Sequence, residues 1–174
     1  MYHLITGPMF AGKTEELQRM IRRQQAAGRE VLTIIPARDS RSAGALKSHA
    51  GKTYPAVAVA GEADIVALLE ERPSVRVVGV DEAQFFSPYL VDVLESLRSK
   101  YDVLVAALHR DYQGRVFDTT AALFGAMETA QILTAVCSMC HKDAAYTYRT
   151  SGAEGQFVVG GAESYEARCW RHWR

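Results

Sequence analysis

Apolar residues fall along this chain in short unbroken runs rather than in alternation. Residues 2–6, 30–36, 75–80 and 102–108 are largely apolar and nearly continuous, and another such run lies near residues 132–136. Between the runs, apolar positions recur at three- and four-residue spacing, the period of a helix with one buried face. Leu17, Met20 and Ile21 mark the first helix, with Arg19, Arg22 and Arg23 turned elsewhere and Gly28 placed as its C-terminal stop. Ile65, Leu68 and Leu69 mark a second helix that ends before Pro73. Leu90, Val93, Leu94 and Leu97 mark a third, opened by Ser87-Pro88, where serine can cap and proline suits the first turn. A fourth is predicted over residues 120–131. Aliphatic strands alternating with helices predict an α/β fold with a parallel sheet covered on both faces. Residues 39–54 show no strong period and read as a mobile loop or a hairpin. After Cys137 the alternation stops, leaving short strand signals at residues 145–149 and 156–159. The chain therefore divides into a core, residues 1–136, and a small packed extension, residues 137–174.

The first apolar run leads straight into Gly7-Pro8-Met9-Phe10-Ala11-Gly12-Lys13-Thr14, and the first helix follows. This is the GxxxxGK[ST] phosphate-binding pattern in the strand-loop-helix context it requires. Glycines let the backbone wrap around phosphate oxygens, the helix N-terminus adds positive potential, and Lys13 can reach the outer phosphates. Thr14 is placed to ligate magnesium. The competing reading, a chance glycine turn capping a helix, lacks an explanation for the flanking strand and helix together. The loop implies nucleotide binding and leaves the reaction open.

The third run delivers Asp81-Glu82 at its carboxyl end, on the sheet edge where the phosphate loop lies and where ligands bind in such folds. One acid can orient magnesium through water and the other can take a proton, the two tasks of a phosphoryl transfer. Asp81 is assigned to the magnesium shell and Glu82 to the base; the alternative is that either acid merely caps a turn. Further on, Cys137-Ser138-Met139-Cys140 and Cys169-Trp170-Arg171-His172 form CxxC and CxxH pairs. Each spacing lets a tight turn aim two donors at one tetrahedral ion, which favours a structural zinc held by Cys137, Cys140, Cys169 and His172. His141 competes as a ligand, and free buried cysteines are the alternative.

Composition narrows the field further. Twenty basic and 20 acidic side chains among 174 residues leave no net charge, which argues against a nucleic-acid binder. The local basic cluster, residues 168–174, reads as a solvated tail. The longest fully apolar stretch, residues 103–108, is too short for a bilayer, and the first strand begins too early for a signal segment. Cytoplasm is the expected address, with no membrane partner. Three cysteines suit a metal site better than a disulfide framework.

Four separated stretches together resemble the type II thymidine kinases, the cytosolic zinc-containing type. They are the phosphate loop, Asp81-Glu82-Ala83-Gln84-Phe85-Phe86, the CxxC and CxxH pairs, and Val159-Gly160-Gly161-Ala162-Glu163-Ser164-Tyr165. The resemblance implies a RecA-like, phosphate-loop NTPase core that binds ATP with Mg2+, and a zinc-anchored lasso folding over thymidine. It implies Glu82 as the base on the 5′-hydroxyl and Gln84 among the residues on the ATP side. Met9, Phe85, Leu108, Tyr112, Phe117, Thr147, Val159, Gly160 and Tyr165 would surround the nucleoside. A homotetramer and feedback inhibition by thymidine triphosphate (dTTP) are also implied. Arg149 and Arg41 are read as cations either near phosphate and loop backbone or at the surface. The chain departs from the family at His109, where aspartate is usual, and at Val116, where proline is usual. Two other readings stay open on the residues alone: a different phosphate-loop ATPase or phosphotransferase, and a zinc-ribbon module that binds nucleic acid.

Overall fold

The computed structural model of the chain describes residues 1–38, 45–47, 53–150 and 161–174. Along it run β1 (Tyr2–Gly7), α1 (Lys13–Ala26), β2 (Glu30–Pro36), β3 (Ala45–Lys47), β4 (Thr53–Pro55), β5 (Val57–Val59), α2 (Ala63–Glu70) and β6 (Val75–Val80). A single 3-10 turn at Ala83–Phe85 follows, then α3 (Leu90–Leu97), β7 (Asp102–Leu108), α4 (Asp118–Ala126) and β8 (Thr129–Ile132). Then come β9 (Ala135–Val136), the last two residues of the expected core, and, in the expected extension, β10 (Asp143–Ala144), β11 (Tyr146–Arg149), β12 (Tyr165–Arg168) and α5 (Trp170–Trp173).

Six strands form one parallel sheet in the order β5-β2-β6-β7-β1-β8. The unbroken aliphatic runs are explained by what lies on each side. Alternate residues of one strand enter different cores: Leu4, Val103 and Val105 join Ile34, Ile65, Leu90, Leu94 and Leu123 on one face. Ile5 and Leu104 join Leu17, Ile21, Ile35 and Val77 on the other, under α1. Strands buried on both faces cannot show a polar alternation. This is the α/β phosphate-loop architecture expected. A third, thinner cluster of Ala135, Cys137, Ala144 and Ala167 holds the extension, with Phe10 and Ala11 of the phosphate loop packed against it. Parallel register brings the carboxyl ends to one edge, with Gly7 opposite Leu108 and Val80 opposite Val105.

Several boundaries differ from the sequence pattern. The fourth helix stops at Ala126, where Met127 turns extended, and residues 129–131 belong to strand β8, paired with β1. All four β8 residues are exposed, so no apolar period announced the strand; pairing with the sheet decided it. The run near residues 132–136 splits, because β9 leaves the main sheet to pair with β10. Strands β5 and β12 carry too few residues to register as patterns. Ser87 does not cap α3 with its side chain: its carbonyl accepts Leu90 N–H at 3.0 Å and its own N–H donates to Glu62 Oε1 at 2.6 Å. Within residues 39–54, β3 pairs antiparallel with β4, so a hairpin forms there. The basic tail is not loose: Arg168 lies 3.5 Å over the Tyr148 ring and Arg174 3.7 Å over Trp170. The strand signal at residues 156–159 lies outside the described residues.

Candidate active site

The phosphate loop hangs between β1 and α1, and its shape is set by backbone that only particular residues tolerate. Gly7 has φ 154°, and a Cβ there would sit 2.5 Å from the Leu133 carbonyl oxygen, so the loop must leave the sheet through a glycine. Phe10 takes φ 66° at the crest, and Gly12 takes φ 82° just before α1. Lys13 Nζ donates to the Pro8 carbonyl at 2.8 Å, which folds its ammonium back over the loop where phosphate would lie. Met9 N–H donates to Thr147 Oγ1 of β11 at 3.0 Å, tying the loop to the extension.

Thr14 Oγ1 donates to Asp81 Oδ2 at 2.9 Å, which joins the helix start to the carboxyl end of β6. Asp81 is buried, and its other oxygen accepts the Glu82 N–H at 2.9 Å. Burial first, and then the charge of Glu82, push its carboxyl up to about 7, against the Thr14 bond, the Glu82 N–H and the Lys13 charge. A buried acid in that condition is one that a divalent cation would hold ionised. Glu82 itself sits at φ 52°, ψ 38°, the left-handed region, at a cost of about 1–3 kcal/mol for a non-glycine residue. Gln84 Nε2 donates to Glu82 Oε2, while Gln84 Oε1 accepts Leu108 N–H at 2.9 Å. Gln84 thus bridges Glu82 and β7 and clamps the Glu82 side chain against the neighbouring strand.

The remaining wall comes from the loop between β7 and α4 and from the extension. Asp111, buried, accepts the N–H groups of Gln113 and Arg115, both at 2.9 Å, and closes a tight turn that presents Tyr112. Thr119 Oγ1 donates to Phe86 O at 2.6 Å and Thr120 Oγ1 to Leu108 O at 2.7 Å. These bonds seat the start of α4, and with it the buried Phe117. Gln84, Phe86 and Phe117 line a cavity of about 210 Å³ there. Half-buried Phe85 lies in the 3-10 turn and Leu108 at the end of β7. Arg149 is 7% exposed, so the surface reading of this residue does not hold. Its guanidinium lies 3.6 Å over the Tyr112 ring and donates to the Tyr165 hydroxyl at 3.0 Å. Val159, Gly160 and Arg41 lie outside the described residues.

Cys137, Cys140, Cys169 and His172 bring their donor atoms within 4.8 Å of one another. Cys140 Sγ and Cys169 Sγ are 3.7 Å apart, and His172 Nδ1 lies 3.3 Å from Cys169 Sγ and 3.6 Å from Cys137 Sγ. Zinc–sulfur bonds of about 2.3 Å and zinc–nitrogen bonds of about 2.0 Å make tetrahedral edges of roughly 3.5–3.8 Å. The donor set fits a closed tetrahedral ion and is far too open for a disulfide. Burial raises the Cys137 thiol, but backbone N–H groups at Cys169, Met139 and Cys140, with His172, outweigh it and bring it to about 5. Such a thiol readily becomes the thiolate a metal needs. The turns supply the pairing, and His141 is not among the converging ligands.

A family model described as thymidine kinase matches residues 1–173. The chain belongs to the thymidine kinase family. A thymidine kinase of Bdellovibrio bacteriovorus is 36% identical over 98% of this chain and 84% of its own length. One from Coprothermobacter proteolyticus is 40% identical over 97% of this chain and 88% of its own. A protein of Bos taurus named thymidine kinase, cytosolic, is 37% identical over 95% of this chain and 68% of its own. Among the described residues no helix is long and apolar enough to cross a membrane.

As a member of the thymidine kinase family the chain is an ATP-dependent kinase, a transferase, and its own sequence choices acquire a context. His109 lies in the stretch between β7 and the Tyr112 turn, with the backbone of Gly7 and of Ala145 beside its ring. Burial first, then the charges of Arg110 and Lys13, hold its pKa below the usual range, so the ring is neutral near pH 7. A neutral imidazole adds no charge beside the phosphate loop. The loop's exit makes a direct test. Gly7→Ala is expected to lower stability by about 1–3 kcal/mol, roughly 2–10 °C in Tm, and to reduce the further rise in Tm that ATP produces. Thermal unfolding with and without ATP measures both.

Proposed function

We propose that this chain transfers the γ-phosphate of ATP to the 5′-hydroxyl of thymidine, and of deoxyuridine, giving the nucleoside monophosphate and ADP in pyrimidine salvage. The observation that carries the reading is the bond from Thr14 to Asp81, which puts the phosphate loop and the Asp81-Glu82 pair at one point. The backbone of residues 7–14 cradles the phosphates, and Lys13 swings from the Pro8 carbonyl to the outer ones. Thr14 and Asp81 would hold a magnesium ion, which would neutralise charge on the phosphates. Glu82 accepts the proton of the 5′-hydroxyl as its oxygen attacks phosphorus, and ADP departs in line. Gln84 holds the Glu82 carboxylate in place by its bond to Oε2.

Met9, Phe85, Leu108, Tyr112, Phe117, Thr147, Val159, Gly160 and Tyr165 enclose the nucleoside. The extension, pinned by zinc, covers it and excludes the water that would otherwise hydrolyse ATP. Four protein ligands leave no open position, so zinc acts structurally. The enzyme is cytoplasmic, works as a homotetramer and is inhibited by dTTP as its end product. A coupled assay with ATP, magnesium and a nucleoside panel tests the reaction. ADP release should depend on thymidine; release independent of any nucleoside would instead identify a plain ATPase. The thymine methyl is worth only about 1–3 kcal/mol to a pocket, whereas mismatched buried hydrogen bonds discriminate much more strongly. Deoxyuridine is therefore expected to be a usable substrate and deoxycytidine a poor one. Comparable kcat/KM for thymidine and deoxycytidine would contradict this account of base recognition.

A further inference from the structure

Trp173 has no part in the chemistry above, yet its side chain sits at a junction. It ends α5, next to the metal ligand His172. Its indole Nε1–H faces two carbonyls at once, 3.2 Å from Tyr112 O and 3.1 Å from Thr147 O. Those oxygens belong to separate parts of the chain, the loop after β7 and strand β11 of the extension. Each of the two residues has a second engagement in the site. The Thr147 hydroxyl receives the Met9 N–H of the phosphate loop, and the Tyr112 ring lies beneath Arg149. The indole is itself held on two sides. It stacks on Tyr146 with 4.7 Å between ring centroids, and it crosses Gly114 so closely that a Cβ there would lie 2.7 Å from Cη2.

We propose that Trp173 is a positioning residue for the nucleoside half of the site. Its single N–H clips the Tyr112 loop to β11, so the metal cluster, through α5, sets where Thr147 and Tyr112 stand. The proposal rests on the functional reading given above and deepens it. Packing alone would need only the ring, whereas the clip needs the N–H, and the two are separable. Trp173→Phe keeps an aromatic ring between Tyr146 and Gly114 and removes the donor. Loss of one shared hydrogen bond is worth roughly a 3- to 10-fold change in affinity.

The experiment measures KM for thymidine, KM for ATP, kcat and bound zinc on the full-length protein. Trp173→Phe is expected to raise the thymidine KM by about 3- to 10-fold, with kcat within about twofold and the ATP KM and zinc content unchanged. Incorporation of 3-benzothienylalanine at position 173, which keeps the bicyclic ring and removes only the N–H, should give the same split, and this decides the matter if Trp173→Phe folds poorly. Trp170→Phe is the control. Trp170 stacks on Trp173 at 6.0 Å and is tilted against Tyr146 at 5.5 Å, yet it is 47% exposed, and its replacement should leave the thymidine KM unchanged. An unchanged thymidine KM in Trp173→Phe, equal rises in both KM values, or the same split in Trp170→Phe would overturn the clip. Wild-type protein that phosphorylates no nucleoside would overturn the functional reading itself, a result distinct from a wild type that turns over thymidine beside an indistinguishable Trp173→Phe.

Discussion

Glu82→Gln is expected to lower kcat by about 10² to 10⁴-fold while leaving the KM for ATP close to its wild-type value. The loss corresponds to about 3–5 kcal/mol of transition-state stabilisation. The substitution preserves length and polarity but replaces the basic carboxylate that would take the hydroxyl proton with a non-basic amide. Its neighbour Asp81 keeps its bond to Thr14, so magnesium and phosphate binding should persist. Glu82→Asp shortens the reach and should lose most of the rate as well, because the left-handed turn at φ 52° leaves the backbone little freedom to follow. Single-turnover measurements with saturating ATP read the effect directly. Near-normal turnover in the glutamine variant would remove Glu82 from the role of base.

Removal of the metal is expected to cost about 10²-fold in rate, the lower end of the same range. The extension's own core is a small cluster of alanines and cysteines, with little apolar area to hold it closed. Four-ligand zinc sites contribute about 10–16 kcal/mol in small domains, far more than that cluster supplies. Cys140→Ser, or exhaustive chelation, should therefore loosen β11 and β12 and displace Thr147 and Tyr165. A displacement of about 1 Å costs roughly 10²-fold in rate. The two large clusters of the main sheet do not include the metal ligands, so the sheet should stay folded, while the phosphate loop, which rests Phe10 and Ala11 on the extension's cluster and bonds Thr147 through Met9, should bind nucleotide more weakly. Elemental analysis of protein purified without chelator should find about one zinc per chain. Limited proteolysis before and after stripping should show new cleavage confined to residues 137–174. Metal-free protein with full activity would reject the structural role.

Much of the chemistry was legible because its residues are neighbours in the chain. The phosphate loop spans residues 7–14, the acid pair is one dipeptide, and each metal pair fits within four residues. The four buried parallel strands at residues 2–6, 30–36, 75–80 and 102–108 were equally plain, since burial on both faces forces unbroken aliphatic runs. What escaped was short or exposed: β5 with three residues, β8 with no buried side chain, and β12 after a segment of irregular pattern. Arg149 escaped for a different reason, because a cation can be buried when aromatic faces and a hydroxyl receive it, and those partners lie 16 and 37 residues away in Tyr165 and Tyr112.

By itself the sequence determined that this chain carries a glycine loop of the phosphate-binding pattern, places two acids at a strand end and gathers three cysteines and a histidine. Local spacing suffices for each of these, because the chemistry resides in adjacent side chains. Only the tertiary structure decided how they work together. Thr14 meets Asp81 across 67 residues, Met9 meets Thr147 across 138, and Trp173 reaches Tyr112 across 61. Contacts at such separations are set by sheet register and by the packing of the extension, and nothing in a short window of residues encodes them. The left-handed turn at Glu82 belongs with them. The residue type does not favour it, and the buried Asp81 and the Gln84 clamp on either side hold it in place.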